Sequence, residues 1–152
     1  MLRKILAFSL LLIFMASCKE DVVDYGPIDK KIIEDYLAAA GLTAQSTSSG
    51  LYYIIDKPGG ANHPNINSAV SVNYKGYLTD STVFDESYSS GQPSTFALSS
   101  VIAGWQEGLQ LIGVKGRIHL YVPSALGYGS TEKTGIPANS VLIFDIDMVE
   151  FY

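Results

Sequence analysis

The chain has 152 residues, 47% of them apolar, a formal net charge of −5 and one cysteine. That length and apolar share suit one folded domain with a single core and a small extension, and a lone cysteine excludes an internal disulfide framework. The acidic balance, with no basic stripe to displace counterions from phosphate, argues against a nucleic-acid partner.

At the N-terminus Arg3 and Lys4 precede an apolar run, Ile5 to Met15, which closes on the small residues Ala16-Ser17-Cys18. The run is short for a membrane span and has the basic, apolar and small-residue order of an export signal. Residues 1–17 are therefore read as a signal peptide. Met15-Ala16-Ser17-Cys18 resembles a bacterial lipobox, which would make Cys18 the lipid-bearing first residue of the mature chain and the membrane a partner through that lipid. The bland alternative is an unmodified thiol at the end of a leader. Loss of residues 1–17 removes Arg3 and Lys4 and no acid, leaving eight basic residues against fifteen acidic ones and a charge of −7.

Residues 18–28 hold the lipid-bearing cysteine and a tether without apolar period, long enough to reach about 30 Å at 3.3 Å per residue. Lys19-Glu20-Asp21 resembles a surface-export signal of some Gram-negative lipoproteins, with a solvated charge run as the even alternative. The expected location is the cell envelope, at the outer membrane, with surface exposure left open.

Residues 29–48 are read as a helical extension and linker. Asp29 is placed as the helix cap, Ile32, Ile33, Tyr36, Leu37 and Ala40 keep the helical period, and Gly41 is the stop. One short apolar stripe buries little area, so the helix is expected to pack on the domain as a flap rather than serve as a dimerisation arm, and the chain is read as monomeric. Thr43 to Gly50 reads as a polar linker.

Residues 49–152 change to strand patterns. Leu51, Tyr53 and Ile55 alternate with Tyr52 and Ile54, and Lys57-Pro58-Gly59-Gly60 turns the chain. Val70, Val72 and Tyr74 give the next apolar face, followed by Phe96 and Leu98, then Ile118, Leu120 and Val122, then Leu142, Phe144, Ile146 and Met148. Between these runs a helix-like stretch follows Gly104-Trp105. Five alternating runs around one helix predict an α+β fold, an antiparallel sheet wrapped over a short helix.

Conventional catalytic groups are scarce. His63 lies in a polar loop, and His119 alternates out of phase with Ile118 and Leu120, so both are expected to be plain surface residues and neither belongs to a metal-ligand spacing. No serine sits in a nucleophile elbow, and Gly127-Tyr128-Gly129 lacks the rest of a phosphate-binding loop. No cofactor and no metal are implied. The chain instead concentrates aromatics at element ends: Tyr74, Phe84, Phe96, Trp105, Tyr128 and Phe144, with Asp85 directly after Phe84. Each taken alone reads more readily as core than as site.

Their order says more. Tyr74-Lys75-Gly76-Tyr77-Leu78, Val83-Phe84-Asp85-Glu86-Ser87, Gly91-Gln92-Pro93, Val101-Ile102-Ala103-Gly104-Trp105-Gln106-Glu107-Gly108-Leu109, Val122-Pro123-Ser124-Ala125-Leu126-Gly127-Tyr128-Gly129, Gly135-Ile136-Pro137-Ala138-Asn139 and Leu142-Ile143-Phe144-Asp145-Ile146 resemble the successive signatures of the FK506-binding-protein family of peptidyl-prolyl isomerases. The resemblance covers residues 50 to 152.

It implies a curled antiparallel sheet of five or six strands around one short helix, with an apolar pocket between them and proline-containing polypeptides as substrates. Carried over by position, Trp105 would be the pocket floor and Tyr74, Phe84 and Phe144 its walls. Val101 and Ile102 would form an edge with the Ile102 N–H as donor, and Ile136 would complete the substrate-binding set. Tyr128 would offer its hydroxyl to a substrate carbonyl. Asp85 at the rim would either position a tyrosine hydroxyl such as Tyr74 or be a structural carboxylate held by backbone N–H groups, the second being preferred. Ser94 stands where some relatives carry another aromatic, which should open the wall. Two functions follow: an isomerase assisting exported proteins as they fold, or a non-enzymatic module or chaperone that holds proline-containing segments.

Overall fold

The computed structural model describes residues 23–152, so the signal peptide, Cys18 and Lys19-Glu20-Asp21 lie outside the described residues. Within them, period-two alternation does most of the building. The strands are β1 (Gln45–Ser46), β2 (Tyr52–Lys57), β3 (Ala69–Tyr77), β4 (Val83–Glu86), β5 (Ser94–Ala97), β6 (Arg117–Val122) and β7 (Leu142–Phe151), with helices α1 (Gly26–Ala39) and α2 (Ala103–Gly108). All strand pairs are antiparallel, in the order β1-β2-β6-β7-β3-β4. β4 and β5 share one edge of β3, β5 along Ala69 to Val72 and β4 along Lys75 to Tyr77. The expected antiparallel sheet around a short helix is thus present, with seven strands when the two-residue β1 is counted.

One face of the sheet carries the main core. Val70, Val72, Ile118, Leu120, Val122, Leu142, Ile146 and Met148 are buried there with Leu51, Leu98, Leu109 and Ile112. α2 lies close against β6 because its two glycines have no side chains: a Cβ on Gly104 would stand 2.6 Å from Val122 Cγ1, and one on Gly108 2.5 Å from Leu120 Cδ2. No real Cβ survives such distances, so larger residues there would lift the helix from the sheet.

The opposite face is covered by α1. Ile33 and Leu37 are buried against Tyr121, Val141 and Ile143, with Tyr36, Tyr52, Ile54 and Tyr77 packed around them. Each buried aliphatic chain contributes about 2 kcal/mol, so the helix docks as the expected flap. This explains why β2 is apolar on both faces: Tyr53 and Ile55 meet one core, Tyr52 and Ile54 the other. The stretch expected as a polar linker contributes β1, which pairs Gln45 with Tyr53 and Ser46 with Tyr52.

The helix begins differently from expectation. Asp24, not Asp29, serves its N-terminus, its Oδ1 accepting the Gly26 N–H at 3.0 Å. Asp29 lies within the first turn and is buried. The predicted stop holds: Gly41 takes φ +66°, and the Leu42 N–H reaches back to the Leu37 carbonyl at 2.9 Å.

His119 also departs from expectation. It does face away from the main core, but it is half-buried, with Nδ1 2.6 Å from Asp145 Oδ1 and Nε2 2.8 Å from Asp56 Oδ2. Arg117 stands 3.7 Å from Asp56 and 3.8 Å from Asp147. Both ring nitrogens facing carboxylates require the imidazolium form, the only one that donates twice. The hydrogen bond to Asp145 raises the His119 pKa against the opposing effect of burial, with Asp56 adding to it. Burial pushes Asp145 up, yet the His119 hydrogen bond and charge, together with the Tyr77 hydroxyl and the Arg117 charge, hold that carboxyl below its ordinary value.

The raised folded value means that this stabilisation is complete below the unfolded pKa of about 6.5 and is lost as pH rises through the folded one. His119→Ala should therefore cost about 2 kcal/mol at pH 6 and progressively less in alkaline solution. Denaturant titrations of both proteins from pH 6 to 9 check this, and a difference that does not shrink with pH would count against it.

Candidate active site

Between α2 and the concave sheet lies a cavity of about 600 Å³ lined by Tyr74, Phe84, Asp85, Phe96, Ser100, Val101, Ile102, Trp105, Tyr128, Lys133, Thr134, Ile136 and Phe144. All nine residues singled out for the pocket come together here, from β3, β4, β7, α2 and two loops. Cys18 lies outside the described residues. Four further residues, Phe96, Ser100, Lys133 and Thr134, join them.

Trp105 is carried by α2 and is 4% exposed. Its ring meets Tyr74, Phe144 and Phe96 at centroid distances of 5.1, 5.3 and 5.8 Å, with interplanar angles of 83°, 82° and 87°. These are edge-to-face pairs, the arrangement that the aromatic quadrupole favours. The buried indole N–H has no hydrogen-bond partner among the described residues. Phe84 stands edge-on to Phe144 at 5.6 Å, so the floor and walls are one interlocked set of rings. Phe96 belongs to that set through Trp105 and Tyr74. Its place in the alternation of β5 marked it as core and concealed the second role.

Two residues that no periodicity singles out shape the walls. Gly76 is paired with Asp85 on one side and Phe144 on the other. A Cβ there would lie 2.6 Å from Phe84 Cε2 and 2.8 Å from Phe144 Cε1, so both rings rest on bare backbone. Ser87 is buried just after β4, and its Oγ accepts the Tyr74 N–H at 2.9 Å while its own N–H donates to the Tyr74 carbonyl at 3.0 Å. This clamps Tyr74 where the regular ladder stops.

Asp85 takes the role that was the less preferred one. The Tyr74 hydroxyl donates to Asp85 Oδ2 at 2.6 Å. Burial, followed by this hydrogen bond, raises the Tyr74 pKa far above that of free tyrosine. The hydroxyl thus stays protonated and committed to Asp85, and it is no source of acid or base catalysis near neutral pH.

At the α2 end, Val101 and Ile102 are extended, and the Ile102 carbonyl starts the helix by accepting the N–H groups of Trp105 at 3.0 Å and Gln106 at 3.1 Å. The Gln106 side chain turns back and donates to the Val101 carbonyl at 2.8 Å. That fixes the edge and leaves the Ile102 N–H without an acceptor among the described residues. Opposite, Tyr128 is 37% exposed and its hydroxyl engages no described residue. Lys133 holds its ammonium 5.7 Å from the Tyr128 ring centroid, and its backbone is pinned by a bridge to Ile136. Ser94 pairs with Val72 in β5 and does not line the cavity.

The arrangement is therefore a floor and walls of aromatic rings with polar groups around them, the Ile102 N–H and the Tyr128 hydroxyl among them, and among the described residues no nucleophile there is paired to a base. His63 bonds the Gln110 carbonyl at 3.0 Å away from the cavity, and His119 belongs to the outer face. An aromatic-walled cavity of this kind can strip water from a small apolar ring and hold the chain on either side of it.

Comparisons with known proteins bear on its identity. A sequence model described as FKBP-type peptidyl-prolyl cis-trans isomerase matches residues 60–149. The FKBP-type peptidyl-prolyl cis-trans isomerase FkpA of Buchnera aphidicola subsp. Schizaphis graminum is 52% identical over 105 residues, 68% of this chain and 42% of that protein. FkpA of Aeromonas hydrophila is 41% identical over 136 residues, 88% of this chain and 49% of that protein. The chain thus spans about half the length of these relatives. The crystal structure of FkpA from Escherichia coli superposes with a TM-score of 0.74 at 39% identity, covering 80% of this chain and 57% of that one. A peptidyl-prolyl cis-trans isomerase from Pseudomonas syringae pv. tomato gives 0.70 at 27% identity, covering 85% and 96%. The matched residues contain the ring-lined cavity from Tyr74 to Phe144, and the chain belongs to the FKBP-type peptidyl-prolyl cis-trans isomerase family.

Proposed function

We propose that this chain isomerises prolyl peptide bonds in exported polypeptides as they fold, and that it does so from the cell envelope. The observation that carries the reading is the closed set of edge-to-face rings around Trp105, with a protonated Tyr74 and an unengaged Tyr128 hydroxyl at the mouth.

Rotation about a prolyl amide must break its resonance against a barrier of about 18–20 kcal/mol, so the free reaction takes tens of seconds or more. The twisted amide is less charge-separated than the planar one. An apolar cavity therefore disfavours the planar state relative to the twisted state, with no nucleophile required. Each ~1.4 kcal/mol of that difference gives about a tenfold rate. Trp105 supports the proline ring, the Phe84 and Phe144 rings exclude water, and the Ile102 N–H and Tyr128 hydroxyl orient the flanking carbonyls.

A protease-coupled proline-peptide assay on the full-length chain in mild detergent tests this. The expected result is isomerisation well above buffer, reduced up to about tenfold in Tyr128→Phe, the worth of one neutral hydrogen bond. A folded chain that leaves the buffer rate unchanged would defeat the reading.

The leader and Met15-Ala16-Ser17-Cys18 support attachment to the outer membrane through an acylated Cys18. Metabolic labelling with palmitate should mark the wild type and not Cys18→Ala. Label that persists in the variant refutes the anchor.

A further inference from the structure

Asp29 is the most isolated acid of the described residues, with 1% of its surface exposed. Burying an ionised carboxylate costs several kcal/mol unless it is well partnered, and no lysine or arginine among the described residues pairs with it. Its Oδ2 accepts both the Ser124 N–H at 2.8 Å and the Ser124 hydroxyl at 2.6 Å, across ninety-five residues of sequence, while Oδ1 accepts nothing. Docking α1 does not need such a group, since Ile33 and Leu37 already bury the helix and an apolar residue of similar volume serves as well in many buried sites.

What distinguishes Ser124 is where its other bonds lead. Its carbonyl accepts the Gly127 N–H at 3.0 Å and the Gly129 N–H at 2.8 Å. Gly129, in the left-handed region at φ +56°, passes the tie on by accepting the Asn139 N–H at 2.8 Å. Tyr128 sits between the two residues hung on Ser124. The turn that presents the Tyr128 hydroxyl is thus fastened to Ser124, and Ser124 is fastened to α1. Asp29 precedes the residues 60–149 that match the family model.

We propose that Asp29 is a positioning residue for isomerisation: acting through Ser124, it sets the place of the Tyr128 hydroxyl at the cavity mouth and makes the activity depend on the docked state of α1. This rests on the isomerase reading and on the use of the Tyr128 hydroxyl in it. Tyr128 is otherwise held by Lys133 at its ring and by the Thr131 N–H, which donates to its carbonyl at 3.1 Å. A displacement of about 1 Å in an orienting donor is enough to cost a large part of its effect.

The test is a double-mutant cycle on the full-length chain in mild detergent, reading kcat and KM of proline-peptide isomerisation together with thermal melting. Asp29→Ala should lower kcat/KM about as much as Tyr128→Phe does, and the same change in a Tyr128→Phe background should lower it less than twofold further. Asp29→Asn keeps an oxygen for the Ser124 N–H and should restore most of the loss. Should Asp29→Ala fail to fold, Asp29→Leu, apolar and of similar volume but accepting nothing from Ser124, replaces it in the cycle with the same expected non-additivity. Equal losses with and without the Tyr128 hydroxyl, or no loss at all, overturn the inference while leaving the isomerase reading intact. A wild-type chain with no activity overturns both.

Discussion

Trp105→Leu is expected to cost about 3 kcal/mol of stability and to lower kcat/KM at least tenfold. The stability figure follows from three edge-to-face partners, Tyr74, Phe96 and Phe144, each pair contributing about 1 kcal/mol beyond the area it buries. Leucine keeps the site apolar and so avoids the larger loss of a truncation to alanine. A domain with ordinary stability of about 5–15 kcal/mol stays folded after such a change. The activity loss has a different origin: leucine offers no flat surface beneath the proline ring, so the cavity admits water where the planar amide should be stripped of it. Denaturant midpoints and the proline-peptide assay separate the two effects. Unchanged kcat/KM in a folded Trp105→Leu protein would remove the indole from the role of floor.

Gly76→Ala should be nearly as damaging although it adds one methyl group and deletes nothing. The new Cβ would lie 2.6 Å from Phe84 Cε2 and 2.8 Å from Phe144 Cε1, and Phe144 is 4% exposed and cannot retreat into the core. Phe84 is the ring with room, and its outward path is into the cavity. Overpacking of this kind costs about 2 kcal/mol, and kcat/KM should fall about tenfold as the pocket narrows. The distinguishing observation is rescue. Phe84→Leu in the Gly76→Ala background should recover stability, because the second change removes the obstructed atoms. Simple addition of the two losses would show that the glycine serves the strand backbone and not the ring pair.

What was legible in the sequence is what repeats locally. Alternation in β3, β6 and β7 named the core-facing residues correctly, and Gly41 marked the helix end. The ordered aromatic motifs brought out nine residues that share one cavity. What was not legible depends on distant parts of the chain. Asp29 has the residue type of a helix cap, and nothing near it reveals that a serine ninety-five residues away will take its carboxylate. His119 was correctly placed off the main core face, but a surface reading assumed that face to be bare. The acids of β2 and β7 beside it make it half-buried and doubly bonded. Phe96 and Gly76 were hidden for opposite reasons: one matches its strand pattern too well to stand out, and the other acts by lacking atoms.

The placement of β7 governs how this fold can be reached. It follows every other strand in the chain, yet it lies in the middle of the sheet, bonded to β6 on one side and β3 on the other. Without the residues from 142 onward, β2 with β6 and β3 with β4 and β5 would be two ribbons with no strand pairing between them. α1 precedes all of these strands, yet the surface it docks on includes Val141 and Ile143. Such long-range pairing is slow to form and late to gain stability. Until β7 inserts, the protein is itself an incompletely folded chain with prolines in its loops, exposed to the same slow step that its family speeds in others.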